Sequence, residues 1–301
     1  MDIQELQKLY ATLPQVAALA QTLDNNREKT VALSGLAASS APMVFSALAL
    51  KSVKPILFIL PDADEAGYFY HDLCQVMGDK DVLFFPSSYR RAIKYGQKDP
   101  ANEILRTEAL TRLNSPSAVQ GKSLYVVSHP EAIAEQVVTR KSLDDRMLTL
   151  SVGETVGVEG VCQTLGDFGF REVDYVYEPG QFALRGSILD VFSFSCEYPF
   201  RVDFFGDDID SIRTFDVENQ LSRERRDHID IVPELTMAED KDSLFRFLPA
   251  DTVLAAKDFA FVRDSVERAW QEGGVPDAPG DAPRQPDYQR RTVRQRQRGL
   301  P

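Results

Sequence analysis

Apolar and polar positions alternate in two different textures along the chain. In the first, short continuous apolar runs separate stretches of helical period. Ile3, Leu6, Leu9 and Tyr10 recur at helical spacing, so the chain opens with a helix that Pro14 ends or restarts, and 16–23 continues it. A β-rich run at 29–33 leads into a loop of small residues and a helix that reaches position 50. Apolar runs at 56–60, 81–85 and 123–127 read as buried strands, with helices predicted over 64–77 and 102–113. A further helix is predicted from Pro130 to about position 138, and 251–258 is another buried strand. Strands alternating with helices predict a parallel α/β sheet, with Val31, Ile56, Val82, Leu124 and Val253 on its buried strands.

The second texture is densest over 170–217. Aromatic and β-branched residues fill runs at 175–178, 181–185, 187–192, 200–205 and 209–215, while Gly, Pro and Asp fill the joints. Pro179-Gly180 is a turn signal, and Gly206-Asp207-Asp208 reverses the chain. A strand at 148–152 and a helix at 161–168, ended by Gly169, precede these runs. The prediction is a small, twisted antiparallel sheet in an α+β lobe, with Arg171 and Arg185 on antiparallel neighbours joined by the Glu178-Pro179-Gly180 turn. The charged stretch 222–233, rich in arginine and acids, reads as a solvated connection.

The segment GFREVDYVYEPGQFALRGSILDVF, followed by PFRVDFFGDDIDSIRTFDVENQLS, resembles the module shared by UvrB and the bacterial transcription-repair coupling factors. With looser flanks the resemblance runs from about Leu6 to Phe261. It implies a degenerate RecA/P-loop-like α/β domain with the small lobe inserted into it. The expected boundaries are 1–139 for the first part of the α/β domain, 140–218 for the lobe, 219–270 for the returning segment and 271–301 for a disordered tail. In the family the lobe docks UvrA. Its arginines map onto Arg171 and Arg185, with Phe182 as the aromatic contact and Arg201 and Phe205 as additions. The resemblance also implies a place in transcription-coupled nucleotide excision repair. Contacts with RNA polymerase and DNA, and the use of ATP and Mg²⁺, would fall to translocase and polymerase-binding domains outside this chain, which then reads as a fragment without its own cofactor. In the full-length family a C-terminal domain masks the UvrA surface, so the fragment is expected to bind UvrA constitutively.

Candidate chemistry narrows the picture further. A phosphate-binding loop needs GxxxxGK[ST]. Counting from Gly35, the second glycine position holds Ser40, the lysine position Ala41 and the hydroxyl position Pro42, so a helix start remains without the charge that meets phosphates. Arg90, Arg91, Lys94 and Lys98, interleaved with Tyr89 and Tyr95, could touch DNA or form a solvated loop. Six arginines crowd the tail between Arg284 and Arg298. The chain as a whole has a net charge of −12, which argues against a dominant nucleic-acid surface. The three cysteines form no CxxC and the three histidines no metal spacing, so neither disulfides, a metal site nor an active site is expected. Asp203, Asp207, Asp208 and Asp210 read as turn and edge residues. The start of the chain shows no signal peptide and no apolar run reaches the ~20 residues of a membrane span, so the expectation is a cytoplasmic monomer. The leading reading is a UvrA-recruiting module. The alternatives are a UvrB-like DNA-dependent ATPase or helicase and a non-specific DNA-binding domain.

Overall fold

A computed structural model describes residues 2–25, 28, 30–89, 99–115, 123–235 and 240–271. Its elements, in chain order, begin with α1 (Ile3–Ala11), α2 (Pro14–Asn25), α3 (Ser40–Ala49), β1 (Ile56–Ile59), α4 (Ala63–Met77), β2 (Val82–Phe85), α5 (Pro100–Asn114) and β3 (Tyr125–Ser128). They continue with α6 (Pro130–Ala134), β4 (Gln136–Val138), α7 (Arg140–Asp144), β5 (Leu148–Ser151) and α8 (Val158–Asp167). Then come β6 (Arg171–Glu172), β7 (Gln181–Arg185), β8 (Ile188–Phe192), β9 (Phe200–Phe205), β10 (Asp208–Phe215), β11 (Ser222–Arg226) and β12 (His228–Ile231). The chain closes with β13 (Lys241–Ser243), β14 (Val253–Ala256) and α9 (Phe259–Gln271).

The larger region is a parallel sheet in the order β14-β1-β3-β2. Alternate side chains of each strand enter opposite cores, as the pleat requires. Leu57, Ile59, Leu83, Phe85 and Val126 pack with α5, α6 and α9, whereas Ile56, Phe58, Val82, Tyr125 and Val127 pack with α2, α3 and α4. Helices on both faces explain why these strands read as unbroken apolar runs. The β14 strand returns from the far end of the chain to pair with β1, matching Ile56 with Val253.

The smaller region is a sheet in the order β11-β10-β9-β8-β7-β6. Every pair is antiparallel except β6 with β7, which run parallel with Arg171 opposite Gln181. One face is apolar: Phe182, Leu189, Val191, Phe200, Val202, Phe204 and Ile212 pack against Val161 and Leu165 of α8 and against Leu150, Ile229 and Ile231 of the β5–β12 pair. The fold is therefore α/β, with a parallel-sheet region and an antiparallel-sheet region, as the sequence pattern predicts.

Five local expectations are corrected. Positions 30–33 form no strand, and Val31 and Leu33 lie 41% and 44% exposed, because the run pairs with no neighbour. The helix from Pro130 stops at Ala134, since β4 instead pairs with β13. Positions 175–178 are not a strand. The chain there crosses over to bring β7 alongside β6 in parallel, so no antiparallel hairpin forms at Pro179-Gly180. The stretch 222–231 is two strands, β11 and β12, rather than a connection. Val253 is only partly buried, since β14 is the edge of its sheet.

Candidate functional site

The route to Arg171 starts at the end of α8. Gly169 takes φ +83° and its N–H bonds the carbonyl of Gly166 at 2.9 Å, while the Phe170 N–H bonds that of Leu165 at 2.9 Å. This left-handed stop satisfies the last helix carbonyls and drives Phe170 into the core. Arg171 is exposed and makes no ion pair among the described residues. Its backbone N–H donates to Gly180 O at 2.8 Å. Gly180 has φ +81°, and a Cβ there would lie 2.9 Å from the Phe194 ring, so this joint admits no larger residue without rearrangement.

Strand parity places the other arginines. Gln181, Ala183 and Arg185 share one face of β7, and the pairing of Arg171 with Gln181 puts Arg171 on that face too. Arg185 lies four residues further on, about 13 Å at ~3.3 Å per residue. The two guanidinium groups therefore belong to one face without being side by side. Arg185 donates to Asp174 O at 2.9 Å, lies 5.0 Å from the Tyr175 ring centroid and pairs with Asp190. It borders an open groove lined by Glu172, Val173, Asp174, Tyr175 and Leu184.

Asp190 is the centre of this arrangement. Its side chain is 1% exposed and accepts from Arg201 Nε at 2.7 Å and from an Arg201 terminal nitrogen at 2.9 Å, besides Arg185. A buried carboxylate is tolerable only when paired and hydrogen-bonded, and two guanidinium groups meet that condition. Arg201 also lies 4.3 Å from the Phe215 ring centroid and donates to Gln220 O at 3.3 Å. The hydrogen bonds it donates to Asp190 raise the Arg201 pKa further above its already high value, so its charge is fixed.

The remaining expected contacts separate. Phe205, 82% exposed, stands at the tip of the β9–β10 hairpin and is a free aromatic surface. Phe182 is 4% exposed and packs in the apolar core of the sheet, so it is no surface contact; alternation along β7 sends it to the opposite face from Arg185. Arg90, Arg91, Lys94 and Lys98 lie outside the described residues, as does the tail at 284–298. The loop from Gly35 to the start of α3 has Ser40, Ala41 and Pro42 in the helix itself, Ser39 forms no side-chain cap, and no strand precedes the loop. At the end of β14, Lys257 pairs with Glu65 and Asp258 caps α9 through the N–H groups of Ala260 and Phe261. Asp203 pairs with Arg213, and Asp208 accepts from Thr155 Oγ1, so these turn acids serve the sheet.

Sequence reasoning missed Asp190, which alternation sets on the face opposite the core residues Leu189 and Val191, where strand register brings the arginines to it. It also missed a buried network at the carboxyl ends of β2 and β3. There Glu135 accepts from Ser87 Oγ at 2.5 Å and Ser88 N at 3.1 Å and pairs with Arg106 at 3.2 Å, and Arg106 donates to Pro86 O at 2.8 Å. These partners are far apart in sequence, so no spacing reveals them. Among the described residues no cluster has the makings of a metal site, and no helix is long and apolar enough to cross a membrane.

Residues 148–236 match the UvrB interaction domain. The chain is 34% identical over 210 residues to the transcription-repair-coupling factor of Mycobacterium bovis, covering 67% of this chain and 17% of that protein. It is 26% identical over 245 residues to that of Escherichia coli, covering 81% and 21%, and 28% identical over 201 residues to that of Bacillus subtilis, covering 67% and 17%. The chain thus spans about a fifth of the length of the curated relatives it matches.

Proposed function

We propose that this chain, a relative of the transcription-repair-coupling factors with a UvrB interaction domain at 148–236, recruits UvrA and so brings nucleotide excision to stalled transcription. One observation carries the reading. The matched domain places Arg171, Arg185 and Arg201 on a single sheet face, Arg171 exposed and Arg185 and Arg201 with side chains 35% and 14% exposed, in a chain of net charge −12. Arginine suits such a face because its planar fork binds carboxylates bidentately and tolerates partial desolvation. The exposed Phe205 adds an aromatic anchor, a residue class common at binding hot spots. The module acts as a cytoplasmic monomer without a cofactor of its own, and contacts with RNA polymerase and DNA and the use of ATP belong to other parts of the longer relatives. An ATPase reading finds little support, since Ala41 occupies the position where a phosphate-binding lysine would stand. Titration of purified UvrA into the chain tests the proposal, and saturable binding that weakens with salt is expected. Tight Mg-ATP binding together with no affinity for UvrA would overturn it.

A further inference from the structure

The open face of the small sheet carries a second feature. Strand pairing sets Asp190 opposite Arg201, Arg201 opposite Arg213, and Arg213 opposite Arg225. Four successive strands therefore place three guanidinium groups and one carboxylate in a single cross-strand row. Directly opposed side chains on neighbouring strands have Cβ atoms about 5 Å apart, and like charges in that position repel. The sheet neutralises part of the row. Asp190 takes Arg201, and Asp203 takes a terminal nitrogen of Arg213 at 2.6 Å. Two deficits remain. Arg213 Nε is buried with no hydrogen-bond acceptor, and Arg225 makes no ion pair among the described residues. Arg225 sits on β11, the free edge of the sheet, where every residue is exposed. Its neighbours on that strand are otherwise engaged: Arg223 lies 4.0 Å from the Tyr198 ring centroid and Arg226 pairs with Glu224.

We infer that the Arg201–Arg213–Arg225 row is a docking stripe for an acidic protein surface, continuing the contact from Arg185 across the sheet to its free edge. The inference rests on the UvrA-binding reading and names the chemistry of the partner's complementary patch: carboxylates spaced to meet successive strands. A carboxylate arriving at Arg225 would relieve its repulsion with Arg213 and give Arg225 the acceptor it lacks. Nucleic acid is the less favoured occupant, because a chain of net charge −12 repels a phosphate backbone beyond this face.

The experiment compares Arg225→Glu and Arg225→Gln with wild type and with Arg171→Ala, by UvrA titration at two salt concentrations and by melting. A structural role and a docking role have opposite signatures here. Arg225→Glu places an acid opposite Arg213, so the melting temperature is expected to hold or rise while UvrA affinity falls at least tenfold. Arg225→Gln should fall less and show a weaker salt dependence than wild type. Wild-type UvrA affinity in Arg225→Glu, alongside weakened Arg171→Ala, overturns the stripe and leaves the UvrA reading standing. No UvrA binding by wild type overturns both. A lowered melting temperature in both Arg225 variants makes the row structural and overturns the docking role. Duplex DNA binding that Arg225→Glu abolishes, with UvrA affinity unchanged, assigns the row to nucleic acid instead.

Discussion

The two sheets of this molecule solve the same packing problem in opposite ways. The parallel sheet hides both faces under helices, so its strands ILFI, VLFF and YVVS are almost wholly buried. The antiparallel sheet covers one face with α8 and leaves most of the other to charged side chains, with a small apolar cluster around Phe192 and Phe215. A face that need not bury itself can carry recognition, and here it carries arginines held by buried acids. A buried ion pair of the parallel region lies at the strand ends, where Arg106 and Glu135 satisfy each other. The proposed partner recognition therefore falls to the smaller sheet.

This contrast can be broken most sharply at Asp190. Asp190→Ala would leave Arg185 and Arg201 without their shared carboxylate at a site 1% exposed, and removing one member of a buried ionic cluster costs about 3–5 kcal/mol. Urea unfolding should show that loss, with UvrA affinity falling as the arginines lose their aim. Next in size is Gly180→Ala. A left-handed φ and a Cβ at 2.9 Å from Phe194 should together cost about 2 kcal/mol, read as a lower melting temperature with the helical signal of the parallel region kept. Arg185→Ala should lose about 1–2 kcal/mol, since Asp190 keeps Arg201 and the Arg185 side chain is 35% exposed. The sequence alone would place Arg185 among exposed residues that hardly affect stability; its bonds to Asp174 and Asp190 correct that expectation.

The smallest expected effect lies in the parallel region. Burial on α5 raises the Glu108 pKa, and Arg112 opposes the shift only in part. Between its unfolded value, about 4.3, and its higher folded value, the native state binds more protons, so stability falls as pH rises through that window. Glu108→Gln should flatten this slope, read as melting temperature against pH.

Much of this architecture was legible because burial writes itself into periodicity. Unbroken apolar runs at 56–60 and 82–85 read as strands covered on both faces, and alternation over 181–205 announced a half-covered sheet. Val31 misled because β-propensity cannot show whether a neighbour exists to pair with it. The parallel β6–β7 pairing was hidden because a Pro-Gly joint signals a turn without saying which strands it joins. Of the candidate contacts, Arg171 and Phe205 lie at the surface, whereas alternation alone could not decide which face of β7 takes Phe182. Asp190 was invisible as a centre because its two arginines approach from β7 and β9, a relation that only strand register supplies.

The most direct measurement is a titration of UvrA against wild type and Arg171→Ala, each with a melting curve. Arg171 is exposed and unpaired among the described residues, so its truncation touches the proposed interface without touching the core. Losing a charge-assisted contact that becomes buried in the complex typically costs ~2–5 kcal/mol, and about 1.4 kcal/mol is already tenfold. The account predicts at least tenfold weaker binding with an unchanged melting temperature. Wild-type affinity for the variant would contradict it.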